Sequence, residues 1–168
     1  LDFLEAFHMA DVRVKDVDKL DIKQHETTRE IQTRQITLFE LMEMSAKYDL
    51  VAREWVSGFE RSFEDAERIR RLANHYTINE AVLLVFIDEL AKTPDTFIAA
   101  KLGDEVAAEV RERARRLRSR IDSIGLHEAM HMIEEFDEEL ISARINPGST
   151  ADIMGAGLFI ALLEGMVV

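Results

Sequence analysis

Three groups of residues in this 168-residue chain have the types and spacing for chemistry. The loudest is His127-Glu128-Ala129-Met130-His131, an H-E-x-x-H pattern. On a helix it sets two imidazoles one turn apart, where they can bind zinc while the Glu acts as base. A catalytic zinc needs a third protein ligand, and no histidine follows His131. The only acids on the closing apolar segment are Asp152 at its mouth and Glu164 at its far end. A chance match in an acid-rich helical chain is the favoured reading, with His127 and His131 on an exposed helix and without metal.

The second group is Asp49 and Arg53, one turn apart in what reads as the middle of a long helix from Thr37 to about Gly58. Spacing alone slightly favours an ordinary ion pair. The sharper reading is a carboxylate for Mg²⁺ beside a guanidinium for phosphate oxygens. The third group is Ile145-Asn146-Pro147-Gly148-Ser149-Thr150-Ala151-Asp152, which leads into a long apolar run. Asn-Pro-Gly makes a turn, Ser149 is placed to cap a helix, and Asp152 falls three residues later, where a capping carboxylate belongs. The same turn offers N–H groups and hydroxyls to an anion, and Asp152 would suit one that carries Mg²⁺. The residues alone leave these two readings even. Six arginines from Arg111 to Arg120 could hold phosphates, but they are spread around their helix. Glu109 and Glu112 stand at pairing distance from Arg113 and Arg116, so a solvated, ion-paired helix is expected.

The elements that must position these groups are helical. Apolar residues make up 47% of the chain and Pro occurs only twice, so a packed core is expected rather than a disordered tail. No cysteine is present, which excludes a disulfide framework and fits the cytoplasm. A net charge of −12 argues against nonspecific nucleic-acid binding. Phe3, Leu4 and Phe7 begin a helical pattern, Ala10 to His25 is irregular, and Thr27 to Gln32 reads as a short helix. Ser62 with Asp65, and Thr77 with Glu80, read as capping boxes. The run Ala81 to Ile87 is apolar on all sides and therefore central. Pro94 ends that helix, Asp95 caps the next, and Gly103 and Gly125 break the chain again. A closing helix starts near Ser149. Ile153 to Leu163 is too short to span a membrane and reads as a buried core helix. The expected fold is all-α, a multi-helix bundle around an apolar C-terminal helix, with residues 1–168 forming one domain.

Three stretches carry a resemblance. Ile145 to Gly165 resembles the C-terminal signature of the triphosphoribosyl-dephospho-coenzyme A synthase family, in which an Asn/Ser-Pro-Gly-containing turn and a Ser/Thr-Ala-Asp step open the last helix. Pro94, Asp95, Thr96, Ile98, Lys101 and Gly103 match a second family segment, and Ser45 to Glu60 resembles the archaeal-like branch, including Asp49, Arg53 and Glu54. Ala100 stands where the family usually has Arg, removing one expected phosphate contact. Full-length members carry a preceding half with Lys-Pro-Gly-Asn-Val and Gly-Gly-Asn-Thr motifs that this chain lacks, so it resembles the C-terminal part of a longer enzyme.

The resemblance implies an all-α, Mg²⁺-dependent transferase that takes the triphosphoribosyl unit of ATP, releases adenine and delivers the unit to a CoA-like acceptor such as 3′-dephospho-CoA. It implies Asp49 and Asp152 as groups for Mg²⁺ or for a cationic transition state. It implies Arg53, Lys101, Gly148, Ser149 and Thr150 as the phosphate and nucleotide contacts. The competing expectation is a non-enzymatic helical module that packs its apolar terminal helix on a partner chain carrying the chemistry. A homo-oligomer also fits this pattern.

Overall fold

Capping chemistry sets most of the boundaries. The computed structural model describes residues 25–167, and among these every regular element is an α-helix. In order they are α1 (His25–Arg34), α2 (Leu38–Ser45), α3 (Leu50–Ser57), α4 (Glu60–Leu72), α5 (Ile78–Lys92), α6 (Thr96–Leu102), α7 (Asp104–Ile124), α8 (Leu126–Ser142) and α9 (Gly148–Leu163). The helical pattern read near Phe3 and the irregular stretch from Ala10 lie outside the described residues. Thr77 and Glu80 form the expected capping box at α5, and Thr37 with Glu40 forms another at α2. Gly103 and Gly125 each join two helices as a single residue, at φ 100° and 93°, a region that side chains rarely tolerate.

Two boundaries depart from the sequence reading. The long helix expected from Thr37 to Gly58 is broken after Ser45. Asp49 is the N-cap of α3, its Oδ1 accepting from the Val51 and Ala52 N–H groups at 2.8 and 3.3 Å. A short carboxylate competes well for such donors, and no Pro or Gly marks the break, so the helical period runs through it unseen. The helix expected to start at Ser62 starts instead at Glu60, after Gly58 and Phe59 both take positive φ. Ser62 and Asp65 are therefore interior and buried, and the Ser62 N–H and Oγ donate to Glu54 Oε2 at 2.9 and 2.7 Å.

The helix at the centre is α5. Its Leu84 and Ile87 pack with Leu117, Ile121, Leu126, Ala129 and Ile133 of α7 and α8. Its Leu90 and Ala91 pack with Ile98 of α6 and with Ala107, Val110 and Ala114 of α7. Its Ala81 and Val85 meet Ile69 of α4 and Met154 of α9. The closing helix was expected to be a buried core helix, but among the described residues only one of its faces is covered. Ile153, Met154 and Ala161 are buried, while Phe159 and Leu163 are 60% and 70% exposed. The apolar run is symmetric around the helix, so composition alone could not show that neighbours reach just one side.

Gly157 sets how closely α9 approaches α4. A Cβ there would lie 3.1 Å from both Asp65 Cβ and the Ser62 backbone oxygen. Gly155, about half a turn away on the exposed side, would meet nothing within 4 Å. Gly157→Ala should therefore destabilise by about 1–3 kcal/mol, because helix backbone cannot step aside. Gly155→Ala should instead stabilise by roughly 0.5–1 kcal/mol, from the helical propensity gained. Urea unfolding of the two variants checks the opposite signs.

Beneath this contact lies an ion network joining α4, α5 and α7. Glu89, 3% exposed, accepts from Arg61, Arg68 and Lys92, and Asp88 accepts from Arg68 and Arg118. The arginine-rich helix α7 thus pairs with other helices as well as with itself. Arg118 reaches Asp88, Arg113 pairs with Glu139 rather than Glu109, and Arg115 Nε donates to the Ala91 oxygen. The Glu112 pairs with Arg115 and Arg116, at 3.8 Å, and the Arg118 pair with Asp122 follow the expected i,i+3 and i,i+4 pattern within α7.

Asp65 sits in this network at 1% exposure, with Oδ1 on Arg68 and Oδ2 unpartnered. Burial, with Glu89 nearby, pushes its carboxyl up to about 7, against the pull of Arg68 and Lys92. Burial alone would raise Glu89 too, but its bonds from Lys92 and Arg61 hold it below the ordinary range. The folded state thus keeps a proton on Asp65 that the unfolded chain, at an ordinary 3.8, releases. Asp65's contribution is fully present below pH 4 and is lost as pH rises toward 7. Asp65→Asn should gain on wild type across that window, by up to about 4 kcal/mol. Denaturation midpoints of both proteins at pH 4.5 and pH 8 measure the difference, and a parallel pH dependence would refute the buried neutral acid.

Candidate functional site

Three helices begin at one place. Asp49 caps α3, Asp95 caps α6, and the Asn146–Pro147 turn opens α9. The Thr96 hydroxyl fastens the three together, accepting from the Leu50 N–H at 3.1 Å and bonded to Ser149 Oγ at 2.8 Å. Each helix start carries positive partial charge from its aligned peptides, so the convergence is a natural seat for anions.

Asp95 holds two of these starts at once. It is fully buried, and its Oδ1 accepts from the Phe97 and Ile98 N–H groups of its own helix at 2.9 and 3.0 Å. Its Oδ2 accepts from the N–H and hydroxyl of Thr150, 55 residues away, at 2.7 and 2.8 Å. This corrects the sequence reading of α9. Pro147 occupies the N-cap position without a side-chain bond, and Ser149, expected to cap, lies inside the helix and faces Thr96. The cap comes from another helix. Sequence reading gave Asp95 only a local role; the available signal was Pro147 itself, which offers α9 no side-chain acceptor of its own.

Among the described residues Asp152 is consequently free of hydrogen-bond partners. It is exposed and makes no capping bond, so the capping-box explanation of this residue fails. Its carboxyl is nevertheless raised from the ordinary range, by partial desolvation and by the negative charges of Asp95 and Asp49. Asp49 and Asp152, about a hundred positions apart in sequence, therefore feel each other across the convergence. With Asp95 committed to N–H and O–H donors, Asp49 and Asp152 are the carboxylates with oxygens to spare.

The remaining candidates divide. Lys101 is exposed on α6, its Nζ 3.9 Å above the centre of the Phe97 ring. That ring lies against Gly148, where a Cβ would approach Phe97 Cδ1 to 3.0 Å. The ammonium is thus tied to the mouth of α9 despite Ala100. Arg53 does not pair with Asp49. Its Nε donates to the Ala46 oxygen at 3.1 Å, closing the break between α2 and α3. Thr150 is spent on Asp95, and the Gly148 N–H donates to Asn146 O at 2.9 Å, so the first turn of α9 offers fewer open donors than its sequence suggested.

The H-E-x-x-H pattern lies elsewhere. His127 and His131 are exposed on α8, and His127 Nδ1 stands 3.6 Å from Glu80. Fifteen residues of helix, roughly 22 Å, separate His127 from the end that leads to α9. Among the described residues no cluster of three or more His, Cys, Asp or Glu side chains is arranged to hold a metal, and no helix is long and apolar enough to cross a membrane. The carboxylate of Asp152 and the second oxygen of Asp49 do fit Mg²⁺ that arrives on a nucleotide, since this ion keeps waters and phosphate oxygens as its other ligands.

A crystal structure from Archaeoglobus fulgidus, provisionally described as a triphosphoribosyl-dephospho-CoA synthase, matches with a TM-score of 0.74 and 33% identity over 96% of this chain. The chain spans 64% of that protein's length. No curated protein matches. The profile of the CitG family, ATP:dephospho-CoA triphosphoribosyl transferase, matches residues 1–167. The chain belongs to the ATP:dephospho-CoA triphosphoribosyl transferase family.

Proposed function

We propose that this chain forms the C-terminal part of a transferase that takes the triphosphoribosyl unit from ATP and joins it to a hydroxyl of a CoA-like acceptor such as 3′-dephospho-CoA. In that reaction the bond between ribose C1 and adenine breaks, a bond from C1 to the acceptor oxygen forms, and the acceptor proton leaves with adenine. The observation that carries the reading is the meeting of three helix N-termini with the Asp152 carboxylate and the second oxygen of Asp49, in a chain of this family.

Each residue then has a task. The start of α9 faces the triphosphate, and Lys101 adds a positive charge beside Gly148. Arg53 supplies the guanidinium N–H groups that its bond to Ala46 leaves over. Asp49 and Asp152 would hold Mg²⁺, which when bound supplies charge neutralisation for the phosphates. Asp152 also offers negative charge to the cationic C1 centre that forms as adenine departs. Asp95 and Thr96 touch neither phosphate nor sugar in this reading; they fix the three helices against one another.

Incubating the complete protein with ATP, Mg²⁺ and 3′-dephospho-CoA and separating the bases by chromatography tests the proposal. Stoichiometric free adenine is expected, dependent on the acceptor. Release of ADP and phosphate without adenine would sink it. A second reading, a helical module whose partner carries the chemistry, is favoured by the apolar face of α9 that the described residues leave open.

A further inference from the structure

We infer that Phe97 is a positioning residue for the triphosphate, acting through the ammonium group of Lys101. The inference rests on the phosphate role proposed above for Lys101 and adds what prepares the lysine for it. Phe97 and Lys101 lie one turn apart on α6, so their side chains share a face of the helix. The Lys101 Nζ stands 3.9 Å from the ring centroid, over the face that carries the ring's negative charge. The ring is half-buried and has little room to turn. Its backbone N–H donates to Asp95 at 2.9 Å, and its Cδ1 would lie 3.0 Å from a Cβ on Gly148. Gly148 therefore serves by having no side chain, which seats the ring at the first turn of α9. Tyr48 beneath Lys47 is the contrast: that ring is 56% exposed, and its ammonium stands farther off, at 4.5 Å.

A lysine stem is flexible, and fixing it on a ligand costs rotamer entropy. Lys101 is also the single cation that α6 offers. A carboxylate partner would hold the ammonium in place but would neutralise the charge that a phosphate needs. An aromatic face holds it without neutralising it, and leaves the N–H groups on the far side for a phosphate oxygen. The ammonium then meets its ligand while still on the ring, so a stronger hold gives tighter binding. Were the lysine obliged to leave the ring, the ring would compete, and weakening it would tighten binding. The two arrangements differ in sign.

The test replaces Phe97 in the complete protein by mono-, di- and trifluorophenylalanine, which drain the negative face and nearly keep the ring's shape. Each variant is titrated with inorganic tripolyphosphate and Mg²⁺ by calorimetry. The dissociation constant should rise stepwise with fluorine number, by about 2–5-fold at the last step, as a cation–π contact at an open site would give. Melting should stay unchanged, because the contact with Gly148 is kept. Nuclear magnetic resonance of the free protein should show the Lys101 ε-methylene protons shifted upfield by the ring, and Phe97→Leu should return them to the position of other lysines. A flat fluorine series, a falling constant or the absence of that shift would each overturn the inference. Lys101→Met tells this failure from failure of the phosphate role. If Lys101→Met weakens binding while the fluorine series stays flat, only the part given to Phe97 falls. If tripolyphosphate fails to bind, or binds Lys101→Met as it binds wild type, the phosphate role and the inference fall together. None of these outcomes depends on adenine release.

Discussion

Asp152→Asn should melt at or slightly above the wild-type temperature and lose adenine release by on the order of 10²–10³-fold in the complete protein. The two halves of this expectation come from different observations. Asp152 is exposed and caps nothing, so the amide forfeits no hydrogen bond. Its carboxyl is raised partly by Asp95 and Asp49, so removing the charge relieves repulsion in the free protein. What the substitution does remove is one of two carboxylates able to meet Mg²⁺ or a cationic sugar carbon. A purely structural residue would behave in reverse, losing stability and keeping activity. Calorimetry beside a chromatographic adenine assay separates the cases, and near wild-type adenine release would end the catalytic reading of this residue.

Much of the architecture was legible because helices announce their ends chemically. Thr77 with Glu80, Pro94 with Asp95, Gly103 and Gly125 each act on the backbone within a few residues, and the structure places boundaries at all of them. The failures share a cause. At Asp49 the side chain breaks a helix without disturbing the apolar period, and at Ser62 a hydroxyl suited to capping is satisfied by a buried Glu54 instead. Both outcomes depend on which donors and acceptors tertiary packing leaves free, and local sequence does not record that.

The site shows the same limit more sharply. Local spacing fits Ser149 and Asp152 as a capping pair and fits Asp49 and Arg53 as an ion pair. Neither pairing forms. Asp95 takes the Thr150 donors, Thr96 takes Ser149, and Ala46 takes Arg53. Every local partner expected from sequence is replaced by a residue from elsewhere, which is what sets Asp152 free. The resemblance takes in all three helix starts that meet, at Asp49, Asp95 and Asp152. It gave no indication that Asp95 binds two helices while the others stay available.

Asp95→Ala should be the most destabilising single change at the convergence, at about 3–5 kcal/mol. The side chain is fully buried and serves three N–H groups and one hydroxyl on two helices. An ordinary N-cap loss costs about 1 kcal/mol, because water replaces the missing acceptor. Water has no comparable access here, so each stranded donor retains most of its desolvation cost. Asp49 supplies the internal control. It caps α3 with one oxygen at a more open position, and Asp49→Ala should cost only about 1 kcal/mol. Against a total stability of roughly 5–15 kcal/mol, Asp95→Ala risks unfolding the chain outright, so Asp95→Asn provides the second measurement. An amide can serve one helix with its oxygen but must turn its NH₂ toward donors of the other, which predicts a loss between those of Asp95→Ala and Asp49→Ala. Hydrogen exchange should then quicken at the N-terminus of α6 or of α9, whichever lost the oxygen. If Asp95→Ala proves no worse than Asp49→Ala in urea, the clamp between α6 and α9 is not what holds the three helix starts together.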